Sequence, residues 1–282
     1  MRLANLAGRA VILIDDATGF DVHAASRGAF GPGLPEIYQR WAEFSAWAAT
    51  APSGAAVPII RSELGSPSPR PTQVFAIGLN YSDHAAESGF EAPEDLPPVF
   101  TKWQSSITGA ETLVRLPPGG STDWEVELVA IVGRTASDLA DGTGWDAIAG
   151  LAVGQDLSER VSQLRGPAAQ FGLGKSFRGF APIGPWLVTP DAVPAKDDLE
   201  LWAQIDGEDV QRGRTSQLIF PVARLVEALS RIVTLYPGDV IFTGTPAGVG
   251  LGRTPQRFLR PGEVLTSGIE GIGTIRQTFV AS

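Results

Sequence analysis

The sequence predicts an α+β chain in which β-structure predominates, and three observations predict it. Short apolar runs of strand length, bounded by glycine and proline, recur along most of its length. Only residues 34–48 and 221–233 carry a clear helical period. Between residues 51 and 71 the composition shifts to proline, serine, glycine and alanine. That shift divides a small N-terminal domain with its proline-rich linker (1–70) from a larger domain (71–282).

A chain of 282 residues holds one large domain, or one with a small appendage. Lysine and arginine number 22 against 31 aspartates and glutamates, a balance of −9. Such a field attracts neither nucleic acid nor an anionic membrane, so neither is expected as a partner. Cysteine is absent, which excludes disulfides, thiolate metal sites and cysteine nucleophiles together. His23 and His84 are the only histidines. Any metal must then be held mainly by oxygen, which points to hard ions such as Mg²⁺, Mn²⁺ or Ca²⁺. The apolar segment 11–14 meets Asp15 and Asp16 too soon for a signal peptide, and no run approaches a membrane span of about 20 residues. A cytoplasmic address is expected.

In chain order, residues 9–14 read as a strand and Asp21-Val22-His23 as the start of a second. Residues 34–48 set Leu34, Ile37, Tyr38, Trp41, Phe44 and Trp47 at spacings of three and four, one amphipathic helix facing a core. The prolines of 51–71 are expected to break helix and sheet ladders. A strand at 72–79 runs into Asn80-Tyr81-Ser82-Asp83-His84, where Asn80 or Ser82 can cap a short helix. On it His84 and Glu87 share a face. They are either a base with its orienting carboxylate or an ordinary surface pair.

Residues 123–133 read as one strand, apolar on both faces except for two carboxylates at its start. Trp124, Val126, Leu128, Ala130 and Val132 fall on one face, and Glu125, Glu127, Val129 and Ile131 on the other. Such a strand is normally covered on both sides. Glu125 and Glu127 then sit at the rim of a core, their Cα atoms about 6.6 Å apart. They require a cation, a proton or a basic partner there, unless the strand end is open to water.

Residues 145–150 suggest a short helix and 150–154 a strand that ends in Gln155-Asp156-Leu157-Ser158-Glu159-Arg160. Asp156 is either a third metal ligand or a helix cap. Lys175 lies in a glycine-framed turn without Walker spacing, which rules out that mode of nucleotide binding. Strands at 180–188 and 199–205 lead to the hairpin signal Asp206-Gly207. The helix at 221–233 has Val222, Leu225, Val226, Leu229 and Ile232 on one stripe. A strand at 238–242 precedes a glycine-rich stretch that is either a ligand-approaching backbone or a plain loop. Residues 261–280 read as closing strands.

Several pieces stand in a meaningful order: Gly78-Leu79-Asn80-Tyr81 with His84 and Glu87, Phe100 with Lys102, Glu125-Val126-Glu127, Asp156 with Ser158 and Arg160, Gly174-Lys175-Ser176, Pro182-Ile183-Gly184-Pro185, Pro237-Gly238-Asp239-Val240-Ile241, and Thr243 through Gly250. Over residues 72–280 their order and spacing resemble the fumarylacetoacetate hydrolase family. The resemblance implies a mixed β-roll with a smaller N-terminal α/β domain, in a homodimer. It implies Mg²⁺ or Mn²⁺ on Glu125, Glu127 and Asp156, with Ca²⁺ as a substitute in crystals. It also implies catalytic roles for His84, Glu87 and Lys175, and substrate contacts from Tyr81, Lys102, Arg160 and Thr245. Gln155, Glu159, Val161 and Trp103 depart from the family's usual residues around the expected pocket.

The activity so implied is metal-dependent hydrolysis of a carbon–carbon bond in a β-dicarbonyl acid, an acylpyruvate or fumarylacetoacetate-like compound. The metal polarises the carbonyls and stabilises an enolate. His84 activates water, and Lys175 stabilises or protonates the leaving carbanion. The same site also suits decarboxylation of oxaloacetate or isomerisation of a hydroxymuconate-type acid. A non-catalytic metabolite-binding protein is the alternative of another class.

Overall fold

The computed structural model describes residues 1–83, 96–193 and 195–282. The expected His84–Glu87 pair lies outside the described residues. The rest is predominantly β, with short helices at the margins.

The strand Val126–Val132 is central to the larger sheet and is buried along its whole length. It pairs antiparallel with Ile148–Gln155 on one side and Val240–Phe242 on the other. Outward from these lie Ala181–Val188, antiparallel to Ile148–Gln155, and Val74–Ile77, parallel to Val240–Phe242. Arg2–Leu6 continues the sheet beyond Ala181–Val188, followed by Arg9–Leu13, Thr18–Asp21 and Ala56–Pro58. A second sheet runs in the order Glu208–Arg214, Glu200–Ile205, Val264–Ile269, Gly273–Val280 and Glu111–Arg115.

The alternation read from the sequence separates two cores. Trp124, Val126, Leu128, Ala130 and Val132 pack with Leu201, Leu265, Ile275 and Phe279 of the second sheet and with Leu225 and Leu229 of the helix Val222–Ser230. Val129 and Ile131 pack with Leu34, Ile37, Tyr38, Phe44 and Phe242 on the opposite face. At about 1.5–3 kcal/mol for each buried aliphatic side chain, this two-sided burial anchors the strand. The strand end therefore becomes a fixed platform.

Local differences from the sequence reading have physical causes. Residues 34–48 form two helices, Leu34–Gln39 and Trp41–Ala48, broken at Arg40, whose backbone leaves the helical region. The Arg40 guanidinium donates there to Ala29 O and Glu43. Asp21 ends a strand and caps the short helix Val22–Ala25 by accepting from Ala24 N. The proline-rich stretch still contributes ladders, because Ala56–Pro58 is an edge strand where a missing N–H is tolerated, and Leu64–Gly65 pairs with Arg2–Leu6. Asn80 is buried, and its amide donates to Thr243 O and Phe220 O and accepts from Phe220 N. Ile232 lies beyond its helix and is exposed.

Candidate active site

The ladder itself brings the acidic residues together. Val126 pairs with Gln155 at its end, and one step further Asp156 N donates to Glu125 O at 2.9 Å. Glu127 is two residues along the same face. One carboxylate oxygen from each of Glu125, Glu127 and Asp156 lies within 4.8 Å of the others. Their exposures of 5%, 1% and 0% decide against a solvated strand end.

The chain leaves the ladder just before Val126, and side chains take over its backbone donors. Asp123 Oδ1 accepts from Trp124 N, Gln155 Oε1 from Glu125 N and Gln211 Oε1 from Val126 N, at 2.8, 2.9 and 3.0 Å. Thr122–Asp123 pairs separately with Ser158–Glu159, which aligns the two acidic segments a second time. Glu127 Oε2 accepts from Gly244 N at 2.7 Å. Only glycine fits at 244, because its φ is +103° and a Cβ would lie 2.8 Å from Asn80 Cβ. Helix capping falls to Glu159, which accepts from Val161 N and Ser162 N, and Asp156 is left to the triad.

Among the described residues, three buried cations answer the acids. Lys175 Nζ lies 2.7 Å from Glu125 Oε2 and 2.6 Å from Asp156 Oδ2. It follows the helix Phe171–Gly174, whose last residue must be small because a Cβ there would lie 2.4 Å from Gln163 N. Arg160 donates through Nε to Asp123 Oδ2 at 2.9 Å and places a terminal nitrogen 2.8 Å from Glu125 Oε1. Lys102 donates to Asp156 Oδ1 and to the Lys175 carbonyl. The carboxyl groups of Asp123, Glu125, Glu127 and Asp156 thus face the three cationic side chains Lys102, Arg160 and Lys175.

Burial, with Asp156 and Glu125 alongside, holds the Glu127 carboxyl well above the usual carboxylate range. Burial also lowers Lys102, although Asp156 opposes it. For Lys175 burial is outweighed by Asp156 and Glu125, so its ammonium is held more firmly than usual. Arg160 is held likewise, Glu125 and Asp123 outweighing burial.

Beside these groups is a cavity of about 250 Å³. Glu125, Glu127, Arg160, Lys175 and Thr245 line one end, and Leu164, Phe171 and Leu251 are among the apolar walls. The structure therefore brings together seven of the sequence-predicted residues: the three acids, Lys175, Arg160, Thr245 and, behind them, Lys102. Lys102 and Tyr81 are not among the residues that line this cavity. Full burial places the Lys102 ammonium behind Asp156, and Tyr81 is packed inside with its hydroxyl unpartnered among the described residues. Thr245 lines the cavity, but its hydroxyl donates to Val126 O and accepts from Gln211.

Sequence reasoning missed Asp123, Gln155 and Gln211 as supports of the site. Asp123 carried a signal, since positions 123, 125 and 127 alternate onto one face. Three buried carboxylates with converging oxygens fit a hard divalent cation, and the strain on Glu127 is what such an ion relieves. The donor set contains no sulfur or imidazole, so softer metals are disfavoured.

A sequence model described as the fumarylacetoacetate (FAA) hydrolase C-terminal domain matches residues 73–280. An HpcE-named protein from Mycobacterium smegmatis superposes with a TM-score of 0.94 at 54% identity, over the full length of both chains. A 5-carboxymethyl-2-hydroxymuconate delta-isomerase from the same organism gives 0.77 at 31% identity, covering 100% of this chain and 99% of that one. Maleylpyruvate hydrolase from Sphingobium sp. SYK-6, in complex with manganese(II) and pyruvate, gives 0.80 at 25% identity over both whole chains.

Proposed function

The chain belongs to the fumarylacetoacetate hydrolase family, and from that premise we propose that it is a divalent-metal-dependent hydrolase. Its substrate is a β-dicarbonyl acid, of the acylpyruvate or fumarylacetoacetate-like kind, cleaved at a carbon–carbon bond. The observation that carries this reading is the buried Glu125–Glu127–Asp156 triad at the wall of a cavity that also presents Arg160 and Lys175.

Mg²⁺ or Mn²⁺ would be held by Glu125, Glu127 and Asp156. When bound, the ion supplies polarisation of the keto-acid oxygens and positive charge where enolate charge develops. Arg160, clamped by Asp123 and Glu125, presents a fixed guanidinium to the substrate carboxylate. The base in this reading is His84, with Glu87 as its orienting carboxylate, the roles that the family resemblance implies for them. His84 takes a proton from water, and the oxygen adds to the distal carbonyl carbon. The bond between that carbon and the pyruvate unit then breaks, and its electron pair passes to the pyruvate carbon. Lys175 Nζ, kept charged by its two carboxylates, is the proton donor to that carbon. The apolar walls limit competing water.

His84→Ala is expected to abolish hydrolysis while leaving Mn²⁺ binding by calorimetry unchanged. Full turnover by the variant would refute the base assignment. The likeness to an isomerase supports a second reading, keto–enol isomerisation of an unsaturated dioic acid on the same site. Product identity separates the two, since hydrolysis releases two fragments and isomerisation none. We also propose a homodimer, which light scattering on the purified protein tests.

A further inference from the structure

We infer that the loop from Gly250 to Glu263 carries a second binding site, which takes a small organic dianion, a phosphate monoester or a dicarboxylate. The inference goes beyond the hydrolase reading and does not rest on it.

Arg253, Arg257 and Arg260 line a cavity of about 510 Å³, together with Thr254, Gln256 and Glu263. A space of this size admits a metabolite. It shares no lining residue with the cavity beside the acidic triad. The chain as a whole has a balance of −9, so three guanidiniums on one short loop run against its general charge.

Two of them are fixed by an aromatic ring. The Arg253 and Arg257 guanidiniums lie 5.5 and 5.3 Å from the centre of the buried Trp124 ring. Arg253 also donates to Val210 O at 2.9 Å. Among the described residues Glu263 is the one carboxylate in the lining, and it is used twice. Its Oε1 lies 3.1 Å from Arg257 Nη2, and its Oε2 accepts from Arg260 N at 2.8 Å. Its charge answers Arg257, whereas Arg253 and Arg260 have no ion pair among the described residues. Arg253 Nε and Arg257 Nη1 are also buried donors without an acceptor there, a cost that an oxygen-rich anion relieves.

The two unanswered charges set the valence of the ligand, and guanidinium geometry sets its chemistry, because planar forks pair with carboxylate and phosphate oxygens. The Thr254 hydroxyl adds a neutral donor to the lining. The same loop supports the first site. Gly250 N and Leu251 N donate to the Asp123 carboxylate at 2.7 and 2.9 Å, and Leu251 lines the cavity beside the triad. An occupant of the second site therefore rests on the loop that steadies the Arg160 clamp.

Calorimetry on the intact chain at low salt tests this with glycerol 3-phosphate, succinate and acetate as probes. At least one dianion should bind roughly tenfold tighter than acetate. Which dianion binds tighter identifies the source, a phosphate ester or a dicarboxylate. Arg260 is exposed, so Arg260→Gln removes one charge without disturbing the core. It should weaken that binding roughly tenfold. Arg178→Gln removes the same charge at an exposed residue of another cavity and should leave binding as it was. Equal weakening by both variants would reduce the effect to net charge and overturn the inference. So would binding unchanged in Arg260→Gln, or two dianions that bind no tighter than acetate.

Discussion

Lys175 Nζ lies 2.6 Å from Asp156 Oδ2, and both side chains are buried. The contact ties the turn after the helix Phe171–Gly174 to the end of the strand Ile148–Gln155. It also makes an ammonium and a divalent ion alternative sources of positive charge for the same carboxylates.

Lys175→Met should therefore destabilise the protein by about 3–5 kcal/mol in chelator, because it leaves buried carboxylates uncompensated. With saturating Mn²⁺ the loss should be smaller. Urea denaturation under the two conditions measures this, and equal losses would show that the charges are not interchangeable.

Mn²⁺ itself should stabilise the wild-type protein by about 2.7 kcal/mol at a hundredfold excess over its Kd. A chelator should reverse the shift in melting temperature. A melting temperature indifferent to Mn²⁺, at concentrations that saturate binding in calorimetry, would contradict metal binding to the folded state alone.

Glu127→Gln should weaken Mn²⁺ binding by roughly a hundredfold without destabilising the metal-free protein. Burial and its acidic neighbours raise the wild-type carboxyl, so its neutral form is favoured on folding and its ionised form is opposed. In chelator the two proteins should match near the usual glutamate range. The wild type should then fall behind as pH rises through the elevated value. A gap that closes with rising pH would reverse the assigned sign.

Asp123→Ala should cost about 3–5 kcal/mol, since one carboxylate holds Arg160 Nε and the backbone N–H groups of Trp124, Gly250 and Leu251. Arg160 loses its clamp, so the surviving activity should show a raised KM. Steady-state kinetics alongside denaturation checks both effects, and a stable variant with unchanged KM would dissociate Asp123 from the site.

Glu159→Ala removes the acceptor for Ser121 N, Val161 N and Ser162 N and should cost about 1 kcal/mol. Burial opposes ionisation of Glu159, but hydrogen bonds from Ser162, Ser121 and Val161 outweigh it and set the carboxyl below its ordinary value. The stabilisation is thus present above the unfolded glutamate value and lost as pH falls through the folded one. The difference between wild type and variant should narrow on acidification, as measured by denaturation across that range.

The central strand was legible because its alternation is local, and each of its side chains lies on the face that a two-residue period assigns. The acidic pair was legible on the same ground. Asp156 as their neighbour was not, because residues about 30 apart meet only through the ladder register, and its role came from family resemblance. Gln211 was invisible for a stronger reason, since it serves Val126 from 85 positions away. At the break the Arg40 guanidinium reaches Ala29 O, a tertiary contact that helical periodicity does not reveal. Lys102 reads in sequence like any pocket lysine, and only the packing around Asp156 places it behind the acids.

Arg2–Leu6 is held to Ala181–Val188 through main-chain bonds, with Leu3 opposite Leu187. Trimming the chain at residue 70 would strip that neighbour from an apolar strand and leave a bare edge open to pairing with other molecules. Clumping of such a shortened protein would be a symptom of the exposed edge, and its inactivity would say nothing about the carboxylates at the far end of the neighbouring strand.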